Sequence, residues 1–366
     1  MKDFSTLADF YKGKTVLVTG HTGFKGAWLT HVLLSLGARV VGMSLAPKTP
    51  DDIFVATNLA DRVEGYILDI REKGGVNAIF SHTKPDVVFH LAAQPLVRDS
   101  YDEPLYTMET NIMGTANVLE AVRAAPSVRS VVVITTDKVY ENKEWLYGYR
   151  ENDPLGGHDP YSGSKAAADI VASTYMRAFF NPTAYGETHT TLVGIARAGN
   201  VIGGGDWSKD RLVPDIMRAV LRGDGNVTLR NPDSVRPWEH VLEAVSGYML
   251  LGMRLGQGEK EFSGAWNFGP ERTSWLSVGE VAKQVVDTIG RGYLTIERDT
   301  AKHEAGLLTL DTAKANRLLG WFSKWGSART LSETVAWYRE VEQDRSTARS
   351  VTERQVASYF DIHTTI

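Results

Sequence analysis

Lys14-Thr15-Val16-Leu17-Val18-Thr19-Gly20-His21-Thr22-Gly23-Phe24-Lys25-Gly26 is the stretch that decides the fold. The apolar run reads as a buried strand, and Gly20 ends it. Trp28, Leu29, Val32 and Leu33 then recur at helical spacing, and Gly37 closes that helix. A strand, a glycine turn and a helix in this order suit a dinucleotide pyrophosphate. Glycines let the backbone approach the phosphates, and the helix N-terminus offers unpaired N–H groups. Gly20, Thr22, Gly23, Phe24 and Gly26 form the candidate cofactor turn. The spacing is Gly-x-x-Gly-x-x-Gly, and a plain strand–helix turn is the alternative reading.

Outward from this turn, strands are expected at residues 39–45, 86–91, 131–135 and 191–196. Helices are expected between them, at 111–124 and 161–179 among others. This alternation predicts an α/β fold with a Rossmann-like, doubly wound parallel sheet. After Asn200 the character changes. Gly203-Gly204-Gly205-Asp206-Trp207 reads as a flexible loop, and shorter elements follow, including helices at 214–222 and 278–289. The expected division is a dinucleotide-binding domain over 1–200, to which a segment near 235–270 returns. A smaller mixed α/β domain follows over 201–344. Residues 345–366 lack a clear core pattern and read as a C-terminal tail.

The chain has 366 residues, 43% of them hydrophobic and 23% charged, with formal net charge −4. That composition fits a globular protein with a substantial core. No long basic run is present, which argues against nucleic acid as a partner. No apolar run approaches the roughly 20 residues needed to span a bilayer. The N-terminus carries no apolar signal core, so a cytoplasmic location is expected. There is no cysteine, which excludes disulfides and thiolate chemistry, and the nine histidines show no metal-ligand spacing.

An acid usually ends the second strand of NAD binders. Here the strand end reads Val41-Gly42-Met43-Ser44-Leu45-Ala46-Pro47-Lys48. Ser44 is placed to bind a ribose hydroxyl, and Lys48 to meet a 2′-phosphate, so NAD and NADP both stay open. Asp69-Ile70 is placed at the adenine, while a turn cap before Arg71 is an equal reading of Asp69.

Two further blocks carry chemistry. Thr135-Thr136-Asp137-Lys138-Val139-Tyr140 trails the run 131–134, at a strand end where α/β sheets bind ligands. Tyr161-Ser162-Gly163-Ser164-Lys165 sets a phenol and an ammonium four residues apart, on one helix face. Lys165 and a bound nicotinamide cation both favour the Tyr161 phenolate, and Thr136 is placed to bond the same substrate oxygen.

With these blocks in this order, the chain resembles the extended short-chain dehydrogenase/reductase family. The match extends over Asp69-Ile70, His90-Leu91-Ala92-Ala93-Gln94, Asn111, the loop from Arg197 to Trp207, Arg236-Pro237-Trp238-Glu239-His240-Val241, Trp266-Asn267-Phe268-Gly269-Pro270 and 310–321. Within it, residues 135–142 and Gly156-Gly157-His158-Asp159-Pro160-Tyr161-Ser162 resemble the nucleotide-sugar 4,6-dehydratases. Lys138 stands where dTDP-glucose enzymes carry Glu, which points to CDP-glucose as substrate.

The resemblance implies an internal redox cycle on bound NAD. Tyr161 takes the proton of the sugar 4-hydroxyl while hydride leaves carbon 4. A carbon 5 proton and the 6-hydroxyl are then lost as water, and hydride returns to carbon 6. Asp137 is the candidate acid for water loss, with a strand-end turn role as the alternative. Lys138 is either the base, if burial removes its charge, or an ammonium stabilising the enolate; a solvent-facing structural role is the third reading. Leu91, Ala92 and Ala93 are expected to line the cofactor. Gln94, Asn200, Arg211 and Arg236 are expected at the substrate, the arginines at its pyrophosphate. Surface ion pairs are the alternative for the arginines. His90 and His21 are expected to support packing and backbone. Trp207 and Trp238 line the pocket or pack the second domain. The family's pairing through two helices implies a homodimer, or a dimer of dimers. Competing readings are an epimerase or a dehydratase of another nucleotide sugar, and a dinucleotide sensor without turnover.

Overall fold

A computed structural model describes residues 4–298 and 306–362. Among these residues, seven parallel strands form the main sheet. They are β1 (Thr15–Thr19), β2 (Arg39–Ser44), β3 (Glu64–Ile67), β4 (Val87–His90), β5 (Ser130–Ile134), β6 (Leu192–Ala198) and the edge strand Gly264–Phe268, in the spatial order edge-β6-β5-β4-β1-β2-β3. β1, β4, β5 and β6 are buried almost throughout, as a sheet covered on both faces requires. Chain order reverses between β1 and β4. Their carboxyl ends therefore diverge into the crevice where such sheets take ligands.

Helices Phe24–Ser35 and Val241–Gly256 cover one face through Trp28, Leu29, Val245 and Met249. Helix Gly114–Ala124 covers the other through Val118, Leu119 and Val122. Above the carboxyl ends lie two small sheets. One pairs β7 (Asn200–Ile202) with β9 (Val235–His240); the other pairs β8 (Asn226–Leu229) with a strand at Tyr293–Ile296.

Three local expectations change. The helix expected at 111–124 starts earlier, at Pro104, and passes through a wide π-type turn at Glu109–Met113. Such turns recur at functional sites, and this one aims the Asn111 amide at Gln94 and Ser164. The loop 203–206 is not a free surface loop but is buried. A Cβ on Gly204 would sit 2.0 Å from the Trp337 ring, so glycine there serves close packing.

The C-terminal segment, expected to be a tail, is a helix, Ala348–Phe360, packed into the core; residues 363–366 lie outside the described residues. Its buried positions 348, 351, 352, 355, 356 and 359 repeat at helical spacing. The buried Glu243 carboxylate anchors it, accepting from Tyr359 Oη (2.7 Å) and from the Lys324 and Trp325 amides. Tyr359→Phe removes a donor from a buried carboxylate. It is expected to cost about 1–3 kcal/mol of unfolding free energy in urea titration.

Candidate active site

The glycine turn packs closely on the chain's own backbone. Gly20 ends β1 at φ +77°, and a Cβ on it would meet Ala92 N at 2.8 Å. A Cβ on Gly26 would lie 2.1 Å from Gly20 O. The turn is thus pressed against the Leu91–Ala93 segment after β4, and no side chain caps the N-terminus of helix Phe24–Ser35. Thr22 and Ser44 share a hydroxyl hydrogen bond (2.7 Å), which joins the turn to the end of β2. Phe24 packs toward Gly203. These contacts fit a dinucleotide: they hold the turn compact on its own backbone, so that its amides and the uncapped helix N-terminus are available to a pyrophosphate. Gly26→Ala forces that backbone apart and is expected to weaken NAD binding by about 1–3 kcal/mol, read by equilibrium dialysis.

Behind the turn, His90 is locked neutral. Thr115 Oγ1 donates to Asn111 O (2.7 Å), so His90 Nε2 donates to Thr115 (2.9 Å) and Nδ1 accepts from Thr19 (2.7 Å). Burial, with Lys165 nearby, pulls its pKa to about 3. The unfolded chain takes up this proton below about pH 6.5 and the fold does not, so stability is lost as pH falls through that window. A His90→Gln variant is expected to lose about 2 kcal/mol less between pH 7 and pH 5 than the parent chain, in urea unfolding at both pH values.

At the end of β5 the second block enters a cleft of about 420 Å³. Thr136, Asp137, Lys138 and Tyr161 line it together with Asn200, Arg211 and Arg236. Thr136 Oγ1 donates to Asp137 Oδ1 (2.9 Å), while Asp137 Oδ2 has no hydrogen-bond partner among the described residues. Burial raises the Asp137 pKa; Lys138, the Thr136 bond, Arg236 and Lys25 oppose that shift. Burial pushes the Tyr161 phenol up to about 12, against a hydrogen bond with Thr136 and the Arg211 charge. Lys165 Nζ donates to Ile134 O (2.8 Å) on the same strand end. Its burial and the Lys25 charge pull it down to about 8, with Asp169 opposing. Lys138 is half-buried beside Asp137.

Arg211 pairs with Asp206 (2.8 Å) and still borders the cleft, so the ion pair orients it there. Arg236 is buried on β9, and its Nη1 donates to Val235 O. Asn200 lies on β7. Trp238 borders the cleft and donates to Leu276 O, whereas Trp207 packs on Tyr338 and Arg222.

Three expected residues are held elsewhere. The Gln94 side chain is engaged by Leu96 and Thr107 and does not reach the cleft wall; it shapes the loop after β4. The Ile70 side chain packs under Gly114 in the core. Asp69 caps Arg71 N (2.9 Å) and pairs with its guanidinium, which holds the carboxyl below its ordinary range. Conversely, Lys25 reaches the cleft although nothing in the sequence reading assigned it a role. Burial pulls it to about 8, and Glu239, buried with neither oxygen hydrogen-bonded, pulls the other way. The legible signal was a charged residue inside a turn otherwise made of small and apolar residues.

Residues 17–334 match the model of the GDP-mannose 4,6 dehydratase family. The chain belongs to this family, within the extended short-chain dehydrogenase/reductases. A CDP-glucose 4,6-dehydratase of Salmonella typhimurium is 46% identical over 332 residues, covering 90% of this chain and 92% of that one. A CDP-paratose 2-epimerase of Salmonella typhi is 34% identical over 88% of this chain and 98% of its own. Among solved structures, the dTDP-glucose 4,6-dehydratase DesIV of Streptomyces venezuelae, with NAD bound, superposes at TM-score 0.76. It is 26% identical, and the match covers 89% of this chain and 97% of that one. No helix among the described residues is long and apolar enough to cross a membrane.

Proposed function

We propose that this chain converts CDP-D-glucose to CDP-4-dehydro-6-deoxy-D-glucose and water. The observation that carries the reading is the convergence of Thr136, Asp137, Lys138 and Tyr161 on one cleft that Arg211 and Arg236 also line, with Lys165 bound to the strand end beside them. NAD fits the Gly20–Gly26 turn, and when bound it supplies the acceptor and donor of hydride. The chain's own groups manage the protons. Tyr161 takes the 4-hydroxyl proton; the Thr136 bond and the Arg211 charge favour its phenolate against the cost of burial, and a bound nicotinamide cation would do the same. A ketone at carbon 4 acidifies the carbon 5 hydrogen, and Lys138 is placed beside Asp137 to serve that step. Asp137, whose burial favours the protonated form, gives its proton to the departing 6-hydroxyl. Arg211 and Arg236 hold the pyrophosphate, as guanidinium suits phosphate oxygens.

CDP rather than another nucleotide is supported by Lys138 and by the 46% identity to the Salmonella typhimurium enzyme. The parallel test incubates CDP-, dTDP-, GDP- and UDP-glucose with the chain and reads the near-ultraviolet absorbance that 4-keto-6-deoxy sugars give in alkali. Signal is expected with CDP-glucose; silence with all four defeats the reading. Exposed apolar side chains at Leu105, Met113 and Ile170, on helical segments that pack against one another, support a homodimer; a cytoplasmic location is part of the same proposal.

A further inference from the structure

A buried ion pair lies directly behind the reacting groups. Arg197 on β6 and Asp169 on the helix Pro160–Ala178 are 3% and 0% exposed and bind bidentately, at 2.8 Å for both contacts. A buried pair of this kind is weak evidence for stability, since apolar residues of equal volume often do as well. What it touches is more informative.

Tyr161, Lys165 and Asp169 follow one another at four-residue steps, so they share one helix face. Lys165 binds Ile134 O, and Asp169 accepts from Thr135 Oγ1 (3.2 Å). Two consecutive residues of the strand end therefore grip two consecutive helical turns. The next residue on the strand is Thr136, and one turn back on the helix is Tyr161. Arg197 extends the grip outward. Its Nη1 donates to Tyr140 Oη (2.8 Å) and to Glu151 O (2.9 Å), and the guanidinium lies over the Tyr140 ring at 5.0 Å. Tyr140 Oη donates to Asn267 Oδ1 (2.7 Å), whose amide holds Tyr149 O and Asp311 O.

We infer that Asp169 and Arg197 are positioning residues. They hold the helix of Tyr161 and Lys165 in register with the strand end of Thr136 and Asp137, and tie both to the 140–151 loop. The inference rests on the dehydratase reading only for its kinetic consequences. Asp169 also balances charge at Lys165, which faces Lys25 from the glycine turn, His90 from β4, Tyr161 on its own helix and Arg197 beyond. Removing the carboxylate leaves Arg197 uncompensated one turn from the ammonium.

The test uses three variants of the full chain. Thr135→Val removes one hydrogen bond without changing charge or size. It is expected to lower kcat about tenfold with KM for the sugar nucleotide and the unfolding midpoint within about twofold and a few degrees, because small misplacements act on the reacting geometry. Asp169→Asn is expected to move the alkaline limb of kcat to lower pH by about one unit. Asp169→Glu restores that limb but not kcat, since the charge returns displaced by a methylene. The Lys165 titration is read independently of turnover by carbon-13 NMR of labelled lysine, and in Asp169→Asn it is expected to fall. A parent chain inactive on every nucleotide sugar would defeat the dehydratase reading, and the NMR titration would still decide this one. An unshifted Lys165 titration in Asp169→Asn, or full kcat in both Thr135→Val and Asp169→Glu, overturns it. Should Asp169→Asn fail to fold, Thr135→Val and Asp169→Glu decide by kcat alone.

Discussion

Tyr161→Phe is expected to lower kcat for CDP-glucose by roughly 10³-fold, in the range for loss of a positioned acid–base group. The ring remains, so the half-buried wall it forms is kept, and no buried partner is stranded except the Thr136 hydroxyl, which still reaches Asp137. Binding of the sugar nucleotide therefore changes little, and the loss falls in kcat rather than KM. The pH profile makes the same point. Burial holds the phenol protonated, at about 12 even with the Thr136 bond and the Arg211 charge acting to lower it. In the holoenzyme the acid limb of kcat reports the ionisation of Tyr161, which a bound nicotinamide cation and the neighbouring Lys165 ammonium favour. In the variant that limb is expected to vanish from the residual rate. Steady-state kinetics across pH on the two proteins, with circular dichroism as the folding check, measures both effects.

Trp337→Ala is expected to destabilise the fold by about 3–5 kcal/mol in urea unfolding, the range for emptying a large buried aromatic site. Trp337 is fully buried, and its Nε1 donates to Thr352 Oγ1 (2.9 Å) on the C-terminal helix. The ring lies against Gly204 and Gly205, whose lack of side chains makes the site its shape. Loss of the ring frees the 203–206 loop, which carries Asp206 and through it Arg211. A rise in KM for the sugar nucleotide should accompany the stability loss, because the arginine loses its orientation before the cofactor turn is disturbed.

The Gly204–Trp337 contact also shows where sequence reasoning stops. Strands such as Thr15–Thr19 and Ser130–Ile134 were legible because a sheet covered on both faces demands unbroken apolar runs. The glycine turn was legible because few other sequences permit its backbone, and the Tyr161–Lys165 pair because helical spacing alone puts both on one face. Three glycines in a row, by contrast, look the same whether they swing freely or admit a tryptophan from 133 residues away, and only the tertiary contact separates the two. The helix Ala348–Phe360 has an evenly spaced buried face, but Thr352 and Gln355 stand in it, so hydrophobic periodicity does not reveal it. Gln94 and Ile70 sit in family motifs yet serve packing and loop shape, which spacing cannot distinguish from ligand contact. Lys25 and Glu239 escaped for the opposite reason. Each is an ordinary charged residue in sequence, and each becomes notable only when folding buries the Glu239 carboxyl near Lys25, which reaches the cleft.

CDP-glucose carrying deuterium at carbon 4 tests the central claim, an internal redox cycle run in this one cleft. The product is expected to be a 4-keto-6-deoxy sugar nucleotide that retains the deuterium at carbon 6, with no reduced dinucleotide accumulating, as read by mass spectrometry and proton NMR. Deuterium appearing in free NADH, or product lacking it at carbon 6, would contradict the account.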